Sequence, residues 1–216
     1  MDSLRKTGRP RGRAAAECRR CGVERGGGLV MEAFLETERM VLRRITQDDR
    51  DELFALHNDP EVMRYLNGGR PVPAEDVDGS LQRMLGWYER GPFGYWPAIE
   101  KATGDFLGWF LLRPREDDEP GTVELGYRLH KAAWGRGYAT EGSLALIRKG
   151  FAELGVRRVY AQTMTVNKGS RRVMEKAGLR YVRTFDGDFE EPIAGSEHGE
   201  VEYAIDLDQW RRGTGG

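Results

Sequence analysis

The chain has 216 residues, enough for one domain with a substantial core and too few to require two. Although 32% of the residues are charged, the formal net charge is only −1, which gives no electrostatic case for a nucleic-acid partner. No run reaches the roughly 18 apolar residues of a membrane-spanning helix, and no apolar segment typical of a signal peptide is present. We therefore expect a soluble cytoplasmic protein that does not associate with a membrane.

The first 30 residues differ from the rest in charge. They hold eight Lys and Arg against three Asp and Glu, a net charge of +5, so the remainder carries −6. Because this segment is rich in Arg and Gly and lacks periodicity, we expect a disordered basic leader at residues 1–30 and a single domain at residues 31–212. A transit peptide, or translation that starts at Met31, is the alternative. Cys18 and Cys21 make only half of a zinc site, so two reduced thiols and no metal are expected.

The first half of the expected domain shows helix caps, amphipathic helices and a hairpin turn. The capping box Thr46-x-x-Asp49 precedes a stretch that carries Leu53, Leu56 and His57 on one side. The predicted elements are, in order, a strand at 40–45, a helix after the capping box, a helical turn at 61–66, a helix from Pro73, and a hairpin of two strands at 94–100 and 106–112.

A glycine-rich turn at residues 134–141, with the sequence Trp-Gly-Arg-Gly-Tyr-Ala-Thr-Glu, separates a predicted strand at 123–129 from a long predicted helix. The glycines permit a sharp turn and a close approach of a ligand. Free N–H groups and the helix dipole favour a phosphate at the start of the helix. Gly155 is placed for a left-handed C-cap. The apolar spacing of the helix predicts one buried face made of Leu144, Ile147, Phe151 and Leu154.

Two other interpretations of this turn are open to test. A Gly-x-Gly turn on its own can bind nothing. A dinucleotide-binding Rossmann turn needs a third glycine at position 140, which is Thr, and an acidic residue after the next strand, where Gln162 and Thr163 stand.

A second motif follows at residues 166–179. It predicts the end of a strand and then a short helix, capped by Asn167 and ended by Gly178. The remaining predicted elements are a strand at 157–161 before this motif, a strand at 179–184, an acidic loop at 186–199 and a strand at 201–207. The order of all elements, with strands and helices interspersed, predicts an α/β fold.

The chain resembles the GNAT family of N-acetyltransferases, and within it the branch of the ribosomal-protein N-terminal acetyltransferases (RimJ/RimL-like). Three motifs carry the resemblance over roughly residues 35–210: Glu-Leu-Gly-Tyr at 124–127, the turn at 134–141, and Asn-x-x-Ser with Glu-Lys-x-Gly at 167–178. The resemblance implies the GNAT fold, a mixed central sheet of about seven strands with helices on both faces, splayed at a bulge in the strand that contains Glu124. It also implies an enzyme that transfers an acetyl group from acetyl-CoA to a primary amine, on a small molecule or a protein N-terminus, by direct attack in a ternary complex.

The resemblance assigns a cofactor site. The turn would hold the pyrophosphate of acetyl-CoA through backbone N–H groups, and the backbone of Leu129 would pair with the pantetheine arm in the splayed gap, with Asn167 beside it. The cofactor-binding residues are then Leu129, Gly135, Arg136, Gly137, Tyr138, Ala139, Thr140 and Asn167, with no metal.

Glu124 and Ser170 are the catalytic candidates. Glu124 would take the proton of the amine and Ser170 would give one to the departing thiolate. The alternatives are a cross-strand ion pair for Glu124 and plain helix capping at Asn167 and Ser170.

The acceptor is not defined by the sequence. Tyr95, Trp96, Trp109 and an acidic loop at 186–191 are candidates for a pocket that suits a cationic amine. A catalytically degenerate acyl-CoA sensor and an acyltransferase for longer acyl chains are the rival functions, and a homodimer is compatible with each.

Overall fold

A computed structural model of the chain describes residues 33–187 and 191–214. The expected leader at residues 1–30, with Cys18 and Cys21, lies outside them. The described chain forms one sheet in the order β1-β2-β3-β4-β5-β6-β8-β7, in which only β5 and β6 are parallel. The strands are β1 (Ala33–Glu36), β2 (Met40–Arg43), β3 (Gly94–Glu100), β4 (Phe106–Arg113), β5 (Thr122–Leu129), β6 (Arg158–Met164), β7 (Arg180–Phe185) and β8 (Glu200–Asp206). The helices are α1 (Arg50–His57), α2 (Pro60–Met63), α3 (Ala74–Gly86), α4 (Tyr138–Glu153), α5 (Lys168–Lys176) and α6 (Leu207–Thr214).

The sheet has eight strands rather than about seven, because the four residues of β1 pair with β2 at the edge. Phe34 in β1 stacks flat on Trp96 in β3, with ring centroids 3.5 Å apart. A strand this short gives little periodicity, so the sequence did not predict it. Helix α6 was also not predicted, and its Trp210 lies 5.4 Å from the ring of Phe151.

Helices cover both faces of the sheet, as predicted, and each face has its own core. Alternation along β4 sends Phe110 and Leu112 into the core beneath α4, and Trp109 and Leu111 into the core beneath α1 and α3. The capping box at Thr46 and Asp49 is present and leads into α1 through one 3₁₀ turn.

The predicted limits of helix α4 are confirmed, but its predicted buried face is wrong in part. Gly155 has a φ of 70°, the left-handed conformation expected after the last turn. Leu144, however, is 47% exposed. Glycine and serine form part of the buried stripe, because α4 lies directly on the sheet. A Cβ at Gly142 would stand 2.3 Å from the Phe110 ring. A pattern based on apolar size alone misses such a stripe.

The predicted splay is present between β5 and β6. The two strands pair only from Thr122 with Arg158 to Glu124 with Tyr160, although β5 continues to Leu129. Beyond Glu124 the strands diverge, while β6 stays paired with β8 along its whole length. The expected bulge is absent from the β4–β5 pairing, because β5 keeps one register against β4 throughout.

Candidate functional site

The open side of β5 presents unpaired peptide groups to the gap. His130 N–H donates to the Leu107 carbonyl at 2.9 Å, which marks that antiparallel pair as hydrogen-bonded. Bonded and non-bonded pairs alternate, so Gly126 and Arg128 bond to β4, whereas the peptide groups of Tyr127 and Leu129 point toward β6. The Leu129 carbonyl accepts a hydrogen bond from the indole of Trp134 at 2.8 Å. An extended ligand in the gap would therefore meet the remaining groups of Tyr127 and Leu129.

The predicted phosphate turn lies directly after this strand. Gly135 and Gly137 have φ values of 70° and 87°, so both adopt the left-handed conformation that favours glycine. The first α4 amide that bonds back into the helix is that of Glu141, which donates to the Gly137 carbonyl at 3.0 Å. The N–H groups of residues 138–140 consequently have no partner within the helix and lie at the positive end of its dipole.

Arg39, in the connection between β1 and β2, braces this turn and was not predicted from the sequence. Its backbone N–H and its Nε donate to Glu141 at 2.9 and 2.7 Å, and its Nη1 donates to the Arg136 carbonyl at 2.9 Å. The two partners are about a hundred residues from Arg39 along the chain, so no local motif joins them. The turn is held in shape by a residue from the far edge of the sheet.

The side chains of Arg136 and Tyr138 contribute less to the open turn than their backbone does. Tyr138 is buried, and its hydroxyl donates to Glu100, which lowers the pKa of that carboxyl. Arg136 lies 3.4 Å from the same carboxylate and over the Tyr138 ring. The positive charge of Arg136 is thus partly compensated by Glu100 on the outer side of the turn.

Ser170 and Asn167 lie on the α4 side of the gap. The Asn167 Oδ1 accepts the Ser170 N–H at 3.2 Å, so the predicted cap is present, and its Nδ2 donates to Thr163 at 3.0 Å. The Ser170 hydroxyl lies 2.9 Å from the hydroxyl of Tyr127, which also donates to the Ser170 carbonyl at 3.0 Å. Burial raises the pKa of Tyr127 to about 12, so the phenol keeps its proton. Tyr127 is a site residue that the sequence analysis quoted in a motif without giving it a role.

Glu124 lies on the other face of β5, where it forms a cross-strand ion pair with Arg113 at 3.2 Å. This ion pair is the structural alternative that the sequence left open for Glu124. A second carboxylate, Glu200 at the start of β8, lies near enough to interact with it. Burial raises the pKa of Glu200, and the negative charge of Glu124 adds to the effect. Glu200 was not predicted, because its strand is more than seventy residues away in sequence.

The expected acceptor pocket is assembled differently from the prediction. Trp96 packs beneath α4, on the opposite face from Tyr95 and Trp109, so it does not line a pocket with them. The neighbours of these two rings are arginines rather than acids: Arg113 lies 5.9 Å from the Tyr95 ring and Arg128 lies 5.0 Å from the Trp109 ring.

Of the acidic loop expected to line that pocket, residues 188–190 lie outside the described parts. Glu191 pairs with Arg70, and Gly68 approaches Ile193. At its other end Gly195 meets Val166, which follows β6. This stretch of loop therefore reaches from the end of β6 to the α2–α3 connection.

Neither a metal-binding cluster nor a membrane-spanning helix is present in the part of the chain that the structure describes. In residues 33–187 and 191–214, no group of three or more His, Cys, Asp and Glu is arranged to hold a metal ion. Within those limits, too, every helix is too short or too polar to cross a bilayer.

Comparison with known proteins agrees with this geometry. The family model of the Acetyltransferase (GNAT) domain matches residues 39–180. The FsC-acetyl coenzyme A-N(2)-transacetylase of Aspergillus fumigatus is 35% identical over 185 residues, which cover 82% of this chain and 78% of that protein. A GNAT-family acetyltransferase from Bacillus anthracis superposes with a TM-score of 0.65 at 25% identity, over 81% of this chain and 98% of that one.

The structure of RimL, a ribosomal L7/L12 alpha-N-protein acetyltransferase in complex with coenzyme A, has a TM-score of 0.69. It is 17% identical and covers 82% of this chain and 99% of its own, a likeness of fold alone. The fold and the open strand pair define an acyltransferase of the CoA-dependent kind. The chain belongs to the GNAT acetyltransferase family and is an N-acetyltransferase that uses acetyl-CoA as co-substrate.

Proposed function

We propose that the chain transfers the acetyl group of acetyl-CoA to a primary amine, on a small molecule or a protein N-terminus, by direct attack within a ternary complex. The observation that carries this proposal is the end of β5–β6 pairing at Glu124. Peptide groups of Tyr127 and Leu129 turned toward an open edge suit an extended pantetheine arm, which can pair with them as an added strand would. The orphan N–H groups of residues 138–140 lie just beyond, where the pyrophosphate would follow.

The catalytic residues of the proposal lie on opposite faces of β5. The amine nitrogen forms a bond to the thioester carbon and loses a proton to Glu124, directly or through water. A backbone N–H turned toward the gap stabilises the oxyanion. The C–S bond then breaks as the carbonyl re-forms, the sulfur takes the proton of the Ser170 hydroxyl, and the Ser170 oxygen recovers a proton from water. Gly135 to Thr140, Leu129 and Asn167 hold the co-substrate in this scheme.

Further parts of the proposal rest on the sequence. They are a RimJ/RimL-like acceptor choice, a cytoplasmic location, no nucleic-acid partner, no metal, a homodimer as an open option, and a leader at residues 1–30 that is dispensable to the domain at 31–212. Deletion of the leader should leave melting temperature and turnover unchanged, because its composition supplies little apolar surface to bury.

Thiol release from acetyl-CoA with a panel of amines and N-terminal peptides tests the central proposal. We expect turnover with at least one primary amine. Double-reciprocal plots of the initial rate, made at several fixed amine concentrations, should give intersecting lines, as a ternary complex requires. Parallel lines would indicate an acetyl-enzyme and contradict direct attack. Tight acetyl-CoA binding without turnover would favour the catalytically degenerate acyl-CoA sensor. Faster turnover with a longer acyl-CoA would favour the acyltransferase for longer acyl chains.

A further inference from the structure

Arg128 stands beside Trp109 on the face of the sheet that carries Glu124. The two residues are opposite each other in the β4–β5 register, and the guanidinium carbon lies 5.0 Å from the indole centroid. Tyr95 packs edge-on against the same indole at 5.4 Å. A guanidinium over an aromatic face is held in position and partly desolvated. Arg128 is therefore a fixed cation rather than a mobile surface charge.

The charge of Arg128 has no counterion among residues 33–187 and 191–214. Desolvation lowers its pKa to about 10, and no described carboxylate opposes that effect. Arg113, four register pairs along the same β4–β5 ladder, differs in this respect, because it is paired with Glu124. An Arg with a pKa near 10 is still charged at neutral pH, so the site keeps a positive charge that the described protein does not neutralise.

His57 and Trp109, which lie near Arg128, are neutral at neutral pH and each carries an unmatched buried polar atom. Burial lowers the pKa of His57 to about 3, and the nearby Arg128 contributes, so the imidazole is uncharged at neutral pH. His57 Nε2 and Trp109 Nε1 are buried without a hydrogen-bond partner. Buried polar atoms are nearly always paired, so their clustering beside an unneutralised Arg points to a ligand-binding region.

Arg128 lies on the same face of β5 as Glu124, the proposed base. Glu124, Gly126 and Arg128 alternate onto one face of β5, so Gly126 lies about 6.6 Å along the strand from each of the other two. Leu111 would stand 3.0 Å from a Cβ at Gly126, and the strand has no side chain there. The Leu111 side chain covers this glycine, so a short apolar stretch separates the proposed base from the unpaired cation on one face of the strand.

We propose that Arg128 binds an anionic group of the acceptor, so that the substrate is an amine that also carries a carboxylate, such as an amino acid or a short peptide. This inference rests on the proposed function, because it takes the Glu124 face as the acceptor side. It replaces the cationic-amine pocket suggested by the sequence. A carboxylate accepts two parallel hydrogen bonds from a guanidinium, which makes Arg128 selective for it.

A phosphate of acetyl-CoA is the other source of an anion. It is disfavoured because the orphan N–H groups at the start of α4 form a separate anion site, and α4 packs on the face of the sheet opposite Arg128. The experiment must still separate the two sources, which it can do by measuring KM for each substrate independently.

Three matched pairs of acceptors test the inference: L-phenylalanine, L-lysine and glycylglycine, each beside its C-terminal amide. The members of a pair differ chiefly in the carboxylate charge. We expect the wild-type enzyme to prefer the acid in at least one pair. Arg128→Gln should raise the KM of that acid about ten- to a hundredfold, the worth of a charge-assisted hydrogen bond, and leave the KM values of its amide and of acetyl-CoA unchanged. Arg128→Lys keeps the positive charge but not the planar guanidinium, so its KM for the acid should lie between those of the wild type and of Arg128→Gln.

Arg44→Gln is the matched control, because Arg44 also lies over an aromatic ring, at 5.0 Å from Tyr88, but is exposed on the surface. It should leave every KM unchanged. Equal use of acids and amides by the wild type would overturn the inference and leave the proposed function standing. So would an Arg128→Gln effect confined to the KM of acetyl-CoA. Thiol release with other primary amines but with none of the six acceptors would also overturn the inference alone, whereas thiol release with no primary amine of the wider panel would overturn both.

Discussion

The two sides of the β5–β6 gap are built in different ways. The co-substrate side that we propose consists largely of one contiguous stretch, residues 134–141, with two left-handed glycines and the free N–H groups of a helix start. The acceptor side that we propose brings together His57 from α1, Trp109 from β4 and Arg128 from β5. The first is set by local backbone geometry and the second by the packing of distant elements. This difference explains why a motif can identify the co-substrate while the acceptor has to be inferred from three-dimensional contacts.

The largest effect should come from the local side. Gly137→Asp would force a side chain into a backbone with φ of 87° and place a negative charge at the expected phosphate site. We expect acetyl-CoA affinity to fall by about a hundredfold or more, measured by calorimetry. Gly155→Asp is the matched control, since Gly155 has φ of 70° at the other end of α4 and should affect stability alone. Unchanged affinity in the Gly137 variant would remove the phosphate assignment.

On the assembled side, Glu124→Gln should lower turnover on the order of a hundredfold at neutral pH, with acetyl-CoA affinity preserved. The rate should recover partly as pH rises and the amine loses its own proton. Arg113→Gln breaks the same ion pair while keeping the carboxylate, so it separates the two roles of Glu124. Equal losses in the two variants would mean that the ion pair, and not proton transfer, is what matters, and Glu200 would become the next candidate for the base.

A smaller effect is expected between the two sides, at Ser170. Ser170→Ala removes the hydroxyl but keeps the N–H that Asn167 caps, so the helix should stay intact. Turnover should fall about tenfold or more while acetyl-CoA still binds. Tyr127→Phe should give a partial loss, because it removes only the group that orients the Ser170 hydroxyl. Melting curves on the same preparations provide the check. A drop in stability with unchanged turnover per folded molecule would assign both residues to structure.

The buried His57 gives a prediction about stability and pH. Its pKa is lowered to about 3 in the folded protein from 6.5, so between these values the unfolded chain binds more protons. The contribution of His57 to stability should therefore be complete above about pH 6.5 and decline as pH falls, by on the order of 5 kcal/mol if the whole range is crossed. Denaturant unfolding from pH 7 to pH 5 should show a shallower decline in His57→Gln. The exposed His198→Gln should keep the wild-type decline, and an unchanged decline in the His57 variant would contradict the burial argument.

The sequence predicted what depends on local backbone rules. The caps at Asn167, Gly155 and Gly178, and the turn with its glycines, follow from residue chemistry at fixed spacing. It did not predict β1, whose four residues are defined only by their pairing with β2. Strand alternation alone sends the adjacent Tyr95 and Trp96 to opposite faces, so the expectation of a shared pocket was wrong on information that the sequence already held. The sequence could not foresee that Arg39 would brace Glu141 across the domain. Those facts depend on strand register and on long-range packing, which no short window of sequence contains.

Amide hydrogen exchange on β5, with and without coenzyme A, tests the account most directly. The account predicts new protection at Tyr127 and Leu129, whose N–H groups point into the gap, and at residues 138–140 in the first turn of α4. Gly126 and Arg128, already bonded to β4, should change little, so protection should alternate along the strand. Protection at residues 138–140 with no change at Tyr127 and Leu129, or a uniform change along β5, would contradict binding of the pantetheine arm in the gap.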